Sequence, residues 1–527
     1  MICFSVILLL VTPACQAWGP LFHEPQMYPN RSVIVQMFEW RFDDLAEECE
    51  NFLGPYGFGG IQVSPPVMEH AITDKQPWWQ RYQAVSYKLD QSRSGTRDQL
   101  RDMIRRCNDA HVRVYVDVIL NHMTANLGKN NGSAGSEFDG DAMSYPAVPY
   151  DRSHFNAKEK CGSRDGQIDN FDDSWQLRNC ELVGLHDLDQ SQEYVRGKLV
   201  SHLNELIDMG AGGFRVDATK HMYPGDLENI FSRLHDLNTD FFLPGQKPFI
   251  YHEASKGGVD LSDYYGVGRV INFSFMRELA AVMKKENNQR MSYLRNFGAD
   301  WGLLPDQEAV NLIDNHDIQR EDHYTLSFKN GRMHKMGTAF MLAWPYGIPK
   351  IMSSYDFPQG GKDNGPPHES NYTTRRVGFD GMVCKDGWIC EHRWRQVYNM
   401  VRFRNAVGTS PVTEWWDNGF QMIAFARQGK GFIAFNNEDF PMRVWLNTAL
   451  PHGRYCDVIT GNKEGEWISC SMTSRSHYSF PILHPHRWLG DKCTGTTVEV
   501  HQDGRAEIVI PNTNEDPILA IHIDAKL

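Results

Sequence analysis

Residues 112–120 read VRVYVDVIL, and residues 212–218 read GGFRVDA. Both are short apolar runs without strict polar alternation, the pattern of a strand buried on both faces. Six more runs share it: 32–38 (SVIVQMF), 59–64 (GGIQVS), 248–253 (PFIYHE), 269–275 (RVINFSF), 309–315 (AVNLIDN) and 348–353 (IPKIMS). Helix-like segments at 43–53, 97–110, 191–209, 226–238, 275–287, 332–343 and 391–406 separate or follow them. Alternating strand and helix predicts a parallel sheet, and eight such units predict a closed (β/α)8 barrel, an α/β fold of the TIM type.

Two stretches interrupt the rhythm. Residues 121–187 are rich in Gly, Asn and Asp, lack a helical stripe, and are too long for a plain loop. They predict a small domain inserted after the third strand, dividing the barrel into 18–120 and 188–410. From residue 411 to 527 the pattern changes to short strands and turns, including FQMIAFA, KGFIAFNN and ILAIHI. VEVHQDGRAEI (498–508) has the alternation and Asp-Gly turn of a hairpin. This part predicts an all-β sandwich.

The composition bounds the function. The chain has 527 residues, 23% of them charged, and a formal net charge of −13, with no basic face for nucleic acid. Aromatic residues reach 12%, with 14 Trp, which suits stacking on a flat ligand. Residues 2–11 form an apolar run too short to span a bilayer, followed by Thr12, Pro13 and small residues to Ala17. That is the form of a signal peptide over 1–17, so an exported protein without a membrane anchor is expected. Loss of Cys3 and Cys15 with the leader leaves nine of the 11 Cys, an odd number. Sequons stand at Asn30, Asn131, Asn272 and Asn371; those at 131 and 371 lie in polar loops, and Asn272 in an apolar run.

Catalytic groups of such a barrel sit at the C-terminal ends of its strands. There the sequence puts Asp117, then Asn121 and His122; Arg215 and Asp217, then Lys220 and His221; Glu253; and Asp314, Asn315, His316 and Asp317. One acid in an apolar strand is ordinarily half of an ion pair, since an unpaired buried carboxylate is costly. Several acids on one rim suit glycoside hydrolysis, in which one protonates the leaving oxygen and another attacks or stabilises an oxocarbenium-like centre. Trp78, Trp79, Tyr82 and Gln83, in the loop after the second strand, lie on the same rim, where indole faces can stack on sugar rings.

These segments resemble a known family. GFRVDATKH (213–221), YHEAS (251–255), DNHD (314–317), VDVILNHM (116–123) and PWWQRYQAVSYKL (77–89) are similar to the animal-type, chloride-dependent α-amylases, and the likeness runs from about Ser32 to Leu527. The resemblance implies a secreted, monomeric endo-hydrolase of α-1,4-glucosidic bonds in starch, glycogen and maltooligosaccharides. It makes Asp217 the nucleophile, Glu253 the acid/base and Asp317 the transition-state stabiliser of a retaining mechanism. It assigns Trp78, Trp79 and Tyr82 to stacking. It puts Asp117, His122, Arg215, Lys220, His221 and His316 around the cleft, binding hydroxyls or holding the acids. It implies a calcium ion on Asn121, Arg178, Asp187 and His221, with Arg178 and His221 using their carbonyls. It implies a chloride ion on Arg215, Asn315 and Lys350 that raises the pKa of Glu253. It also implies disulfides Cys49–Cys107, Cys161–Cys180, Cys384–Cys390 and Cys456–Cys493, leaving Cys470 odd.

The chain departs from that family in four places. Lys350 stands where Arg is usual, and Ile318 where a polar Asn is usual. The Gly-rich loop after the third acid is missing, Arg320 running directly into Glu-Asp-His. Residues 463–491, with Trp467, Cys470 and Trp488, have no counterpart. A transglycosylase acting on maltooligosaccharides is the alternative on the same scaffold, and a non-catalytic carbohydrate-binding relative the alternative of another class.

Overall fold

The computed structural model describes residues 21–320, 324–358, 360–464, 492–513 and 515–527. The expected leader, and all but Lys463 and Glu464 of the segment 463–491, lie outside the described residues.

Eight parallel strands close into a barrel in sequential order. They are β1 (Ile34–Phe38), β2 (Gly60–Ser64), β3 (Arg113–Val118), β4 (Gly213–Val216), β5 (Phe249–His252), β6 (Arg269–Ile271), β7 (Ala309–Leu312) and β8 (Ile348–Ser353). Strand alternation divides their side chains between two layers. Ile34, Tyr115, Phe249, Tyr251, Ile271, Val310 and Leu312 pack together, while their neighbours Val33, Val35, Val114, Val116, Ile250, Val270 and Ala309 join the larger cluster with the helices. Both layers are largely apolar, so the barrel strands read as apolar runs, which Gln36, Gln62, Asp117, Arg215 and Lys350 interrupt toward the C-terminal end.

The main helices are α1 (Phe42–Glu48), α2 (Arg97–Asp109), α3 (Glu193–Asp208), α4 (Pro224–Phe231), α5 (Phe273–Lys284), α6 (Arg332–Ala343) and α7 (Arg395–Val407). Helix α2 shows why such a segment is helical. Thr96 and Gln99 form a reciprocal capping box, and Leu100, Met103, Ile104 and Cys107 fall at helical spacing on the buried face. Cys107 is bonded to Cys49 in the turn after α1.

One expected strand needs correction. Residues 269–275 are not a single strand: β6 stops at Ile271, and Asn272 accepts the Phe275 N–H as the cap of α5. Phe273 and Phe275 therefore belong to the helix. The Asn272 side chain also bonds Asn311 and is buried, so this sequon is covered. Asn131 and Asn371 are exposed.

Between β3 and α3 the chain leaves the barrel and returns along its own outgoing path. His122 bridges Asp187, Met123 N–H bonds His186 O at 3.0 Å, and Leu188 N–H bonds Asn121 O at 2.9 Å. The excursion holds a ladder of Lys129–Asn131 with Glu137–Asp139, two single-turn helices and the disulfide Cys161–Cys180.

The C-terminal strands are β9 (Val412–Asp417), β10 (Met422–Arg427), β11 (Gly431–Asn436), β12 (Met442–Asn447), β13 (Gly453–Cys456), β14 (Thr497–Val500), β15 (Arg505–Ile510) and β16 (Ile518–His522). Strands β9, β10, β11 and β16 form one antiparallel sheet. Its Met422, Ala424, Ala426, Phe432 and Ala434 pack on Met442, Leu446, Tyr455, Val498, Val500 and Ile508 from a second layer. The hairpin turn expected in 498–508 is present, closed by Gly504 N–H on His501 O and His501 N–H on Arg505 O, but the ladders of its two arms form elsewhere: β14 pairs with β13 and β15 with β12. Both strands take partners from earlier in the chain, which local alternation does not reveal. Cys384–Cys390 and Cys456–Cys493 are also formed, completing the four expected disulfides.

Candidate active site

Strand β4 sets the centre of the site. Arg215 points into the barrel, fully buried, and touches three carboxylates. Its Nη1 donates to Asp117 Oδ1 at 2.6 Å and to Asp217 Oδ1 at 2.9 Å, and its Nη2 lies 2.9 Å from Glu253 Oε1. Burying this cation is tolerable only because the acids surround it.

The backbone past β4 and β5 fixes the two outer acids. Asp217 N–H bonds Val118 O, and Glu253 N–H bonds Val216 O, so the parallel ladder continues one residue beyond each strand. Ala218 then takes a left-handed conformation, φ 49°, unusual for a residue with a Cβ. This aims its N–H at Glu253 Oε2, 2.9 Å away. Strained backbone held this way is characteristic of functional sites. Asp217 and Glu253 thus lie on the same guanidinium, each 2.9 Å from one of its nitrogens.

A second set of contacts joins distant segments under the cleft. Lys350 Nζ donates to Gln36 Oε1 at 2.8 Å and to Gln62 Oε1 at 3.1 Å. Gln36 must therefore turn its amide nitrogen toward His316 Nδ1, at 2.9 Å. That makes Nδ1 the acceptor and leaves the proton on Nε2, which faces Tyr82 Oη at 2.9 Å. Tyr82 in turn donates to Asp117 Oδ2 at 3.0 Å. His316 is thus neutral: burial, then the charges of Arg215 and Lys350, push its pKa well below the usual histidine value. Its ring lies parallel to Tyr82, centroids 5.4 Å apart.

Asp317, beside His316, is the most open of the acids. Burial and the charge of Glu253 raise its pKa to about 7, against the pull of Arg215 and Arg320. Burial pulls Lys350 down to about 7, with Arg215 adding to the effect.

Above this floor lies a cleft of about 470 Å³. Of the residues expected to form the site, Trp78, Trp79, Tyr82, His122, Asp217, Lys220, His221, Glu253, Asn315, His316 and Asp317 line it. Both indole N–H groups are already taken, Trp78 by Lys362 O and Trp79 by Asp363 Oδ1, which orients the rings.

Residues 51–351 match the α-amylase catalytic domain and residues 415–524 the α-amylase C-terminal all-β domain. Alpha-amylases of Oryzias latipes and Pecten maximus are each 45% identical, over 98% and 99% of this chain and 100% and 98% of their own. Alpha-amylase 2B of Homo sapiens is 44% identical, over 96% of this chain and 97% of its own. The chain belongs to the α-amylase family. It is a glycoside hydrolase of that family. The fold agrees: alpha-amylase I of Eisenia fetida, and its Glu-to-Gln mutant crystallised with maltohexaose, superpose with a TM-score of 0.85 at 42% identity, covering 94% of this chain and 98% of theirs.

Four residues expected at the site do not line the α-amylase cleft. Asp117, Arg215 and Lys350 are buried beneath it: Asp117 pairs with Arg215, Arg215 also meets Asp217 and Glu253, and Lys350 bonds Gln36 and Gln62. Gln83 is turned away, its carbonyl accepting the Ala125 N–H at 3.0 Å, so it fastens the segment after β3 to the barrel. Conversely, Leu182, Leu185, Ser255, Phe273 and Arg277 line the cleft without having been singled out from the sequence. Ser255 lies inside YHEAS, and Phe273 falls in the run 269–275, whose polarity continues from β6 into the helix.

The residues expected to hold calcium offer oxygen. Asn121 Oδ1 and Asp187 Oδ1 are buried without a hydrogen-bond partner. Burial pushes the Asp187 pKa well above the ordinary carboxylate range, Asn156 only partly opposing it. His221 Nδ1 contacts Leu177 O at 2.9 Å, bringing residue 221 beside residue 178. Among the described residues no three His, Cys, Asp or Glu side chains gather as a metal site. A cation here would rely on the amide, one carboxylate and carbonyls, a hard-ion donor set.

Proposed function

We propose that the protein is an exported, monomeric endo-hydrolase of α-1,4-linked glucans, acting on starch, glycogen and maltooligosaccharides with retention of configuration. One observation carries the reading: Asp217, Glu253 and Asp317 meet in one cleft, the first two held by a single guanidinium. Carboxyl groups that share one guanidinium, each 2.9 Å from one of its nitrogens, suit the close nucleophile and acid/base of a retaining enzyme. Asp217 attacks the anomeric carbon while Glu253 protonates the leaving oxygen. Water, deprotonated by Glu253, then releases the sugar. Asp317 supports the positive charge at both barriers. Export rests on the apolar leader in the sequence; among the described residues no helix is long and apolar enough to cross a membrane.

The protein's own charges favour the carboxylate form of Glu253, which an acid must leave to donate a proton. Burial raises Glu253, but Arg215 and the Ala218 N–H outweigh it and hold its pKa low; burial and Glu253 together raise Asp217 well above its usual range. A chloride ion would correct this. Arg215 Nη2 is buried without a directed hydrogen bond, and Lys350 is buried with a depressed pKa, so both would gain from an anion. Asn315 would complete the set. An anion there weakens Arg215's hold on Glu253 and disfavours its carboxylate, so the proton moves to the acid that must donate it. The test is reducing-end release from soluble starch across pH, with and without chloride. Raising the Glu253 pKa moves the alkaline limb of the profile upward. The expected result is therefore higher activity and a limb at higher pH with chloride. Hydrolysis with an unchanged profile removes the anion site and keeps the hydrolase; no hydrolysis of any α-glucan overturns the function.

Asn121, Asp187 and the carbonyls of Arg178 and His221 would hold calcium, their orphaned oxygens being the supporting observation. The ion would tie the segment after β3 to the barrel beside the cleft. Dialysis against a chelator is expected to lower the melting temperature by about 5 °C or more, with calcium restoring it. An unchanged melting curve counts against the site.

A second reading has one observation in its favour. Phe273 and Ile318 give the cleft apolar surface close to the acids. Such surface suits an acceptor sugar as well as water, so transfer between maltooligosaccharides is the alternative outcome, visible as products longer than the substrate.

A further inference from the structure

Helix α5 begins just past the end of β6, which neighbours β5 and its Glu253 in the barrel. Two of its residues, Phe273 and Arg277, line the cleft. They are four apart and so share one helix face. Phe273 is half-buried, resting on the inner barrel layer of Ile34, Tyr115 and Tyr251. Arg277 is exposed, and among the described residues it makes no hydrogen bond or ion pair.

An arginine in this position runs against local electrostatics. The N-terminal end of a helix carries positive partial charge and favours acids. The first turn of α5 contains no acidic residue, and Arg277 lies one residue beyond that turn. Folding therefore gains nothing evident from a cation here. A residue that breaks a local rule without compensation, inside the cleft, points to a ligand.

We propose that Phe273 and Arg277 form a binding site for a glucose unit on the leaving-group side of the scissile bond, the ring against Phe273 and adjacent hydroxyls on the guanidinium. The side follows from the barrel: Glu253 gives its proton to the leaving oxygen, and β6 is the next strand beyond β5, away from Asp217 on β4. The chemistry follows from the pair: an aromatic face takes the apolar face of the sugar, and the planar guanidinium fork presents two parallel donors to neighbouring hydroxyls. The proposal rests on the glucan-hydrolase reading above and adds a specificity determinant to it.

The test is binding of maltohexaose by calorimetry to Glu253→Gln and to Glu253→Gln/Arg277→Ala, so that no turnover intervenes. Kd is expected to rise about tenfold on loss of Arg277, and Arg277→Lys to recover only part of it. In the active enzyme Arg277→Ala should raise KM for maltoheptaose with little change in kcat. Equal Kd values with and without Arg277, the parent binding normally, overturn the site. A parent variant that binds no maltohexaose overturns the glucan reading itself, and the site with it. The side chain is exposed, so the fold should survive; a matched melting temperature checks this.

Discussion

Replacing Glu253 by Gln is expected to cut kcat on soluble starch by about 10²–10⁴-fold, the range general acid–base catalysis supplies. The substitution keeps size and shape. Its carbonyl can still accept from Ala218 N–H, which now meets Glu253 Oε2 at 2.9 Å. Its NH2 would then face Arg215 Nη2 in place of an oxygen 2.9 Å away. That swap of an attractive contact for a repulsive one costs about 1–3 kcal/mol. The variant should fold, melt somewhat earlier, and bind oligosaccharide while failing to cleave it. Steady-state kinetics beside a melting curve checks both halves. A kcat within tenfold of the parent would remove Glu253 from the acid role.

The second large effect is expected at Arg215. Arg215→Met keeps much of the volume and deletes the charge that Asp117, Asp217 and Glu253 share. Breaking a buried pair by removing one partner costs about 3–5 kcal/mol. Here three acids lose their common partner, so the upper end applies at neutral pH. The sign of the pH dependence separates this from lost packing. Without the guanidinium, the folded-state pKa values of the acids rise above their unfolded values near 4. A group raised on folding adds stability as pH falls through its folded pKa, because the folded state then binds more protons. The penalty measured by urea unfolding should therefore shrink between pH 7 and pH 4.5. A penalty independent of pH would mean that Arg215 is held for its bulk. Activity should be lost throughout.

The barrel was legible because two largely apolar layers make each strand an apolar run with few polar interruptions. Ile34 and Val35, Tyr115 and Val116, and Ile250 and Tyr251 are neighbours that face opposite layers with the same polarity. Legibility failed where polarity stops being local information. Phe273 and Phe275 extend the β6 run in sequence, but Asn272 between run and helix decides the matter by capping. Strands β14 and β15 look self-sufficient and pair elsewhere.

The same division holds in the site. Asp217 and Glu253 stood out as acids ending apolar strands. The connection from Lys350 through Gln36, His316 and Tyr82 to Asp117 did not, because its members come from β8, β1, the segment after β7, the loop after β2, and β3. Gln83 sat beside Tyr82 in sequence and points the other way, as neighbours along an irregular loop can.

The C-terminal domain has a place where new parts can be added. Lys463–Glu464 pairs with Lys492–Cys493, and Cys493 is bonded to Cys456. The two ends of the connecting chain are thus clamped together by a ladder and a covalent link before any intervening residue is considered. Once a loop's mouth is closed, lengthening it is cheap, each doubling adding only about 0.6 kcal/mol of closure entropy. The junction is a natural grafting port: a peptide or small domain inserted between Glu464 and Lys492 should leave the barrel's melting temperature nearly unchanged, whatever its sequence contributes of its own.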